Sequence, residues 1–474
     1  MGTGDNDVDL AVLDEFCGVA LGDRRLEARL RQIVPALAAK PDHSFPKVFA
    51  DTAALEGFYR FVENDKTTLD RLLAPHVRRT VERASEHDVV LAVHDTTTFD
   101  FSGGDERKGL GRLRRAGHGF LGHFSLLMSA EDRQDILGVA AVLPWSRTRE
   151  TPTAKRKAKK ISYEESRRLP NEQQRWGRAA GRVERLLSGR TDVIHVMDSE
   201  ADDYALMATM ARMGRRFVIR CGYDRVLDST AADGCKLMGA VATKPVVCQR
   251  TVTLSRRRRP PAGGHQRTRQ REVREATLSV NAATVVLRRP SSSDKTLPKE
   301  TQVNVVHVWE ESPPADVEPV QWYLLTTETT ATTSDILRVV DIYRCRWTIE
   351  EYFKALKTGC GYEKRQLESY ETLLAALGLF VPIALTLLRL RTLSRADPPR
   401  PATDVLTETQ VEVLQRRFAD HGAATLTVVD ALSLVARMGG HLRRNGKPGW
   451  LVLLRGYKEL LMLEEGFKLA RETN

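Results

Sequence analysis

The sequence predicts an α/β fold in which a central sheet is preceded and followed by helices. Apolar residues recur with helical spacing over residues 8–85, and the same spacing returns over residues 365–474. Between these segments lie β-branched apolar runs bounded by turn residues: DVVLAVH (88–94), HFSLLMSA (123–130), ILGVAAVL (136–143) and VIHVM (193–197). The 474 residues exceed one ordinary core, so several domains are expected.

Changes in pattern along the chain predict three domains. They are a helical bundle over residues 1–85, an α/β domain over residues 86–365 and a set of helices over residues 366–474. Within the middle domain, residues 221–325 are strand-rich and lack a long helical period, which indicates a β-rich insertion. After it, a long helix is expected from Ser334, the capping residue before Asp335, to about Lys357.

The charge of the chain favours a polyanionic partner. Lys and Arg number 73 against 62 Asp and Glu, so the net charge is +11. Nucleic acid is the commonest partner of such a protein. The most basic segment, residues 256–274, holds eight arginines and one acid, and we expect Arg256, Arg257, Arg258 and Arg259 to lie along DNA. A solvated β-hairpin is the alternative for this segment.

Cysteine spacing and hydropathy predict a cytoplasmic protein. The six cysteines form no close pairs of the kind that zinc sites use, and they are expected to be reduced thiols. The first 14 residues are acidic and lack the apolar core of a secretory signal. The most apolar stretch, Leu373 to Leu388, is short for a membrane span and contains Pro382, which favours a buried helix.

Three acids occur where a metal-dependent nuclease needs them. Asp95 and Asp198 each follow a predicted strand, and Glu350 lies on the predicted late helix. Two strand-borne Asp and one helix-borne Glu are the arrangement of the ribonuclease-H-like fold. Such carboxylates could bind two Mg²⁺ ions about 3.5–4 Å apart, which would activate the attacking oxygen and stabilise the leaving one. Taken singly, an Asp after a strand is more often a turn or capping residue.

The helix that carries Glu350 strengthens the metal hypothesis. At about 100° per residue, Tyr343, Arg346, Glu350 and Lys357 fall within one arc of about 60°. Lys354 falls on the same face, whereas Glu351 points elsewhere. A carboxylate among cations suits a metal ligand next to phosphate-binding groups. A solvated helix face with ordinary ion pairs is the alternative.

These residues resemble a known family. YRCRWTIEEYFKALK (343–357) matches the Y-x2-R-x3-E-x6-K signature of bacterial DDE cut-and-paste transposases of the IS-four insertion-sequence type, most closely the branch typified by the Tn-five transposase. HDTTTFD (94–100) is similar to the first-aspartate motif of the family. DSEAD (198–202) is similar to its second motif, D-R-E-A-D, with Ser199 in place of the Arg.

The resemblance extends along nearly the whole chain. ALGDRRLEARL (20–30) and GFYRF (57–61) resemble the N-terminal DNA-binding bundle of the family, and ARMGGHLRRNGKPGWLVLLRGYKEL (436–460) resembles its C-terminal dimerisation helices. WYLLTTE (322–328) resembles the strand before the signature helix. The match implies that Trp322 stacks on an extruded base. It also implies that Tyr343, Arg346 and Lys357 grip phosphates near the cut.

What the resemblance implies is cut-and-paste transposition by a ribonuclease-H-like core with a β-rich insertion. Asp95, Asp198 and Glu350 would hold two Mg²⁺ ions, for which Mn²⁺ could substitute. The partners would be double-stranded DNA, both transposon ends and target, and a second copy of the chain. Two other classes stay open from the sequence: a catalytically inactive DNA-binding inhibitor of transposition, and a ribonuclease-H-like nuclease. Terminal inverted repeats beside the coding DNA would favour the transposase.

Overall fold

The computed structural model describes most of the chain. The described residues are 12–49, 51–103, 107–113, 117–147, 172–227, 236–254, 272–291, 293–315, 317, 319–393, 399–419, 425–442 and 448–472. Arg256, Arg257, Arg258 and Arg259, which the sequence assigns to DNA binding, lie outside the described residues. Their expected position along DNA therefore stays a prediction.

A single mixed sheet forms the centre of the described chain. Its strands are β1 (Val89–Asp100), β2 (Gly111–Arg112), β3 (His118–Ser129), β4 (Ile136–Trp145), β5 (Asp192–Met197), β6 (Arg216–Arg220), β7 (Cys248–Leu254), β8 (Arg274–Arg288), β9 (Glu300–Glu310) and β10 (Gln321–Thr326). Their spatial order is β2-β3-β1-β5-β6-β10-β9-β8-β7. β4 is outside this order: it pairs with β3 from Leu121 to Met128, after the two residues of β3 that pair with β2. β1 is parallel to β5, and β5 to β6, whereas the other pairs are antiparallel.

Helices precede, cover and follow this sheet. They are α1 (Arg24–Ala39), α2 (Phe45–Val48), α3 (Thr52–Val62), α4 (Leu69–Ala84), α5 (Gln174–Leu187), α6 (Tyr204–Arg212), α7 (Leu237–Ala242), α8 (Thr333–Arg344), α9 (Trp347–Lys354), α10 (Tyr370–Leu393), α11 (Glu408–Arg417), α12 (Val428–Met438) and α13 (Trp450–Glu472). Both α5 and α9 contact β1. Strands covered on both faces read as continuous apolar runs, which is why 88–94 and 123–130 stand out in the sequence.

The strands of residues 221–325 extend the central sheet. β10 pairs with β6 along Leu324↔Arg220, and β9, β8 and β7 continue outward from it. β8 spans 15 residues and pairs with β9 over 11 positions, so these two strands form a long antiparallel hairpin. The sequence predicts a β-rich insertion here, and its strands share hydrogen bonds with the core sheet.

One hydrophobic core runs through the N-terminal helices, the sheet and the C-terminal helices. α4 packs on both β4 and α10. Polar contacts follow the same path, since Arg83 of α4 and Arg389 of α10 both donate to the carbonyl of Leu137 in β4. Domain boundaries at residues 85 and 365 would pass through this shared core. The three-domain division stays a prediction.

The apolar stretch around Pro382 forms the buried helix α10. By length and composition, residues Tyr370–Arg389 could cross a membrane, but most of them are buried inside the protein. Leu377, Phe380 and Val381 have no exposed surface. The expectation that Leu373 to Leu388 form a buried helix agrees with this packing.

The long helix expected from Ser334 to Lys357 is interrupted. Its cap lies two residues earlier than expected, because Thr332 forms a reciprocal capping box with Asp335. Ser334 is therefore inside α8, and the prediction that it caps the helix is wrong. The helix tightens at Cys345 and Arg346, whose amides bond the carbonyls three residues before them, and it resumes as α9. Ala355–Gly359 then form a π-helical turn.

Candidate active site

The register of β1 and β5 brings two acids to one edge of the sheet. These parallel strands pair up to Val93↔Val196. Two residues beyond each partner lie Asp95 and Asp198, so the same register continues to both side chains on one face of the sheet. Neighbouring strands lie about 4.8 Å apart, which is close enough for two carboxylates to share a cation.

The two acids leave the sheet in different ways. Asp198 follows the last residue of β5 and begins a short 3-10 turn, Ser199–Ala201. Asp95 lies inside β1, because that strand continues to Asp100 by pairing with β3 after β5 has ended. The expectation that the strand ends before Asp95 is therefore wrong, because β1 continues through Asp95 to Asp100. A rigid ladder, and not a turn, holds Asp95.

Backbone amides orient both carboxylates. The N–H of Thr96 donates to Oδ1 of Asp95 at 2.7 Å, and the N–H of Glu200 donates to Oδ1 of Asp198 at 2.8 Å. The capping role that is the common alternative for an Asp after a strand thus exists at Asp198. It leaves the second oxygen of that carboxylate outside the cap.

Burial and mutual repulsion disfavour the charged form of these acids. The pKa of Asp95 is raised to about 7. Burial is the largest cause, the charges of Asp198 and Glu350 also raise it, and the charge of Arg346 lowers it. Burial also raises the pKa of Asp198, although the backbone N–H of Glu200 lowers it by donating to the carboxylate; the charge of the Glu200 side chain raises it. A divalent cation would favour the charged form of both acids, and their carboxylate oxygens are ligands that fit such a hard ion.

Arg346 connects the third acid to the first. Its Nη1 lies 3.1 Å from Oδ2 of Asp95, and its Nη2 lies 2.5 Å from Oε1 of Glu350. Arg346 precedes α9 at the interruption of the signature helix, and this break sets the direction from which its guanidinium reaches β1. Among the described residues, no three His, Cys, Asp or Glu side chains already form a closed metal cluster. Here the guanidinium separates Glu350 from the aspartates.

The other signature residues surround this centre. Lys357 contacts the carbonyl of Thr98 in β1, and its Nζ lies 3.3 Å from Oε1 of Glu363. Tyr343 is buried at 5% exposure, and its ring lies edge-on to that of Trp322, with the centroids 5.6 Å apart. Trp322 itself is half-buried on β10. Tyr343 therefore offers little surface to a phosphate in this conformation.

Glu351 and Lys354 form a separate ion-pair group. Glu351 pairs with Arg391 at 3.0 Å and with Lys354 at 2.8 Å, and Nζ of Lys354 lies 5.0 Å from the ring centroid of Trp347. The carboxylate of Glu351 thus faces α10, whereas that of Glu350 faces β1. Lys354 is exposed but engaged with Glu351, so its predicted DNA contact requires it to leave this pair.

Two residues near the acids were not identified from the sequence. Arg175, in the first turn of α5, bonds Thr96 and Glu200, the neighbours of the two aspartates. Asp202 is fully buried, pairs with Arg225 and accepts the amides of Gly222 and Tyr223. The sequence DSEAD does not distinguish the roles of its two aspartates. The structure does, because Asp202 accepts hydrogen bonds from the loop amides of Gly222 and Tyr223. No sequence signal distinguishes Arg175 from the other arginines of α5.

Two family models match the chain. Residues 10–67 match the family described as transposase DNA-binding, and residues 170–385 match the family described as transposase DDE domain. The second match includes Asp198 and Glu350 and begins after Asp95. A cryo-EM structure of the piggyBac transposase synaptic complex with hairpin DNA is similar over 82% of this chain and 73% of that chain, at 10% identity and a TM-score of 0.36. That likeness is too low to support further argument.

The matches and the sheet topology confirm the predicted fold class. The core is an α/β ribonuclease-H-like domain with helices at both ends. A DDE domain implies dependence on a divalent metal ion. The matched DNA-binding region covers α1, α2 and α3.

Proposed function

We propose that this chain catalyses cut-and-paste transposition with Asp95, Asp198 and Glu350 as its catalytic acids. It is an enzyme that acts on DNA, and it carries a transposase DNA-binding domain followed by a transposase DDE domain. The observation that carries the proposal is the convergence of these acids. Two lie side by side by strand register, and Arg346 pairs with both Asp95 and the third acid, Glu350. We also propose that the chain is a transposase of the IS-four type, whose Y-R-E-K signature residues 343–357 resemble.

The reaction would consist of four phosphoryl transfers at one site. A water attacks a phosphorus atom at the transposon end, and the P–O bond to the departing 3′-oxygen breaks. The freed 3′-hydroxyl then attacks the opposite strand and forms a hairpin. A second water reopens the hairpin, and the 3′ ends finally attack target DNA. Each step exchanges one P–O bond for another, so the same acids can serve all four.

The acids fit Mg²⁺, with Mn²⁺ as a substitute. Asp95, Asp198 and Glu350 would hold two ions through carboxylate oxygens, the ligands that hard divalent cations prefer. When bound, such ions activate the attacking oxygen and stabilise the leaving one. The concentration of buried negative charge at Asp95 and Asp198 supports this assignment.

Arg346 would bind the acids first and DNA phosphate afterwards. In the protein alone its guanidinium forms ion pairs with Asp95 and Glu350. Arginine binds phosphate as well as carboxylate through the same planar fork, so it could transfer to DNA when the acids gain another cation. Lys357, beside the end of β1, would hold a neighbouring phosphate. Lys354 would follow on the exposed side of α9, with Tyr343 and residues Arg256 to Arg259 as further DNA contacts.

The expected cellular setting follows from the substrate. We propose that residues 1–85 bind the inverted-repeat ends of the transposon and that the protein acts in the bacterial cytoplasm, associated with the nucleoid. Helices α1 and α3 begin at the side-chain caps Asp23 and Asp51, so their first turns are well defined for docking.

Glu350 and Glu351 allow a matched test of catalysis. Glu350→Gln should lower end cleavage by about 10³-fold or more, because loss of a ligand charge removes several kcal/mol of transition-state stabilisation. Binding of end DNA should stay intact or tighten slightly, because one negative charge near the phosphates is removed. Glu351→Gln should change cleavage by no more than about threefold, as is usual away from the reacting groups.

The measurement is cleavage of labelled DNA carrying the native flanking ends, with Mg²⁺ or Mn²⁺, beside a gel-shift assay. Equal cleavage by the two variants would remove Glu350 from the site. End binding without cleavage by the unsubstituted protein would favour the inactive inhibitor, and cutting that ignores the end sequence would favour a general nuclease.

Trp322 is proposed to stack on a base that leaves the helix during hairpin formation. Joining two strands across a tight turn resists ordinary stacking, and an extruded base relieves the turn at a cost of a few kcal/mol. Stacking on an aromatic ring returns about 1–3 kcal/mol of that cost. Tyr343 supports one side of Trp322, and the remaining exposed part of the half-buried ring is open for such a contact.

Trp322→Ala should leave the first nick nearly unchanged and slow hairpin formation by about tenfold or more, which is the stacking contribution. Trp322→Phe should restore much of the rate. Trp309, on the adjacent strand β9 and stacked on His307, provides the control, and Trp309→Ala should slow no step selectively. The nicked, hairpin and double-cut products are followed over time. A Trp322→Ala variant that is equally slow at every step would assign this ring to the core alone.

The C-terminal helices are proposed to form the dimer that pairs two DNA ends. Ending the chain near Arg365 cannot test this, because α10 is part of the common core. The exposed side chain of Met462, on α13, is a better position. Met462→Glu should leave the fold intact and weaken pairing of two ends, measured by the mass of the protein–DNA complex in solution. An unchanged complex of two chains and two ends would place the contact elsewhere.

A further inference from the structure

Arg175 connects the chain segments that carry the two aspartates, through Thr96 and Glu200. It lies in the first turn of α5, apart in sequence from both strands. Its Nε donates to Oγ1 of Thr96 at 2.8 Å, and its Nη2 donates to Oε2 of Glu200 at 2.5 Å. Its Nη1 donates to the carbonyl of Glu172 at 2.6 Å, which fixes the guanidinium to the start of its own helix.

Both partners of Arg175 orient a catalytic acid by the same kind of bond. The backbone N–H of Thr96 donates to Oδ1 of Asp95, and the backbone N–H of Glu200 donates to Oδ1 of Asp198. One guanidinium therefore reaches both aspartates through one intermediate residue each. The two paths are alike: an arginine N–H to a side-chain oxygen, then the amide of that residue to the carboxylate.

The surroundings of Arg175 make it rigid. Its side chain is 11% exposed and lies against the rings of Trp145 and Trp176, at 5.8 and 5.2 Å from their centroids. Thr96 has a second anchor, since its hydroxyl is 2.9 Å from Nδ1 of His123. Three donor nitrogens of Arg175 are engaged with protein groups, which holds its guanidinium in place.

We propose that Arg175 is a positioning residue that fixes the separation and orientation of Asp95 and Asp198 for metal binding. The inference rests on the proposed function, in which these aspartates hold the metal ions. Outer partners that orient ligands commonly change metal affinity by 10–100-fold when they are lost.

Mg²⁺ should be more sensitive than Mn²⁺ to the loss of Arg175. Mg²⁺ demands near-ideal octahedral geometry, so it tolerates misplaced ligands poorly. A shift of either aspartate would also disturb the spacing of about 3.5–4 Å between two ions. Loss of Arg175 therefore changes how the site binds metal, whereas a merely structural arginine would change only the stability of the fold.

The experiment uses the full-length chain and Mn²⁺ as the probe. Mn²⁺ binding is measured without catalysis from the paramagnetic resonance signal of free Mn²⁺, and the Mg²⁺ dependence of end cleavage is measured separately. Arg175→Met should weaken Mn²⁺ binding by about tenfold or more and raise the Mg²⁺ requirement further, while metal-free binding of end DNA is retained. Arg175→Lys should recover part of the affinity, because one amine can reach one of the two partners.

Arg178 supplies the matched control. It lies one turn later on α5, is exposed, and donates from Nη2 to Oε1 of Gln174 on its own helix, so Arg178→Met should leave Mn²⁺ binding unchanged. Two milder variants each remove one path: Thr96→Val and Glu200→Gln should each weaken Mn²⁺ binding less than Arg175→Met does. They keep the test valid if Arg175→Met fails to fold.

Distinct results separate this inference from the proposed function. Unchanged Mn²⁺ affinity in Arg175→Met, or in both milder variants if the first unfolds, would overturn the positioning role. Weakened Mn²⁺ binding that Arg178→Met reproduces would also overturn it. If Glu350→Gln cleaves like the unsubstituted chain, the proposed function fails, whatever the Arg175 variants show.

Discussion

The parallel pairing of β1 with β5 forces two half-buried carboxylates to lie side by side, and neighbouring arginines reduce their repulsion. The register that ends at Val93↔Val196 continues to Asp95 and Asp198. Burial and like charge both disfavour ionisation there, as the raised pKa values of the two acids indicate. A fold gains no stability from such a pair, so the arrangement is best understood as preparation for a cation.

Two arginines interact with these acids, one directly and one through neighbouring residues. Arg346 contacts Asp95 and Glu350 directly and comes from the interrupted signature helix, so its position depends on the break at Cys345. Arg175 touches neither aspartate by hydrogen bond, but it holds the residues whose amides do. Under the proposed function Arg346 would exchange its direct contact for phosphate, whereas Arg175 would keep its position against the rings of Trp145 and Trp176.

Sequence reasoning identified the fold class from local hydrophobic patterns. It selected the three acids from local patterns too, the aspartates after predicted strands and the spaced signature of one helix, and their common role stays a proposal. It failed at Asp95 because distant pairing decides the structure there: β3 extends the ladder of β1 beyond β5. It also placed the cap of α8 at Ser334, although the nearby Thr332 forms the capping box with Asp335 that satisfies two amides. Arg175 could not be found because its partners are far along the chain.

The most direct measurement is the location of Mn²⁺, by its anomalous X-ray scattering, in crystals of the protein bound to its transposon-end DNA. Anomalous scattering identifies the ion itself, independently of any rate. The account predicts Mn²⁺ within coordination distance of the carboxylate oxygens of Asp95 and Asp198, with Glu350 released from Arg346 to complete the ligand set. Mn²⁺ bound at other acids, or its absence beside both aspartates while the DNA end occupies the site, would contradict it.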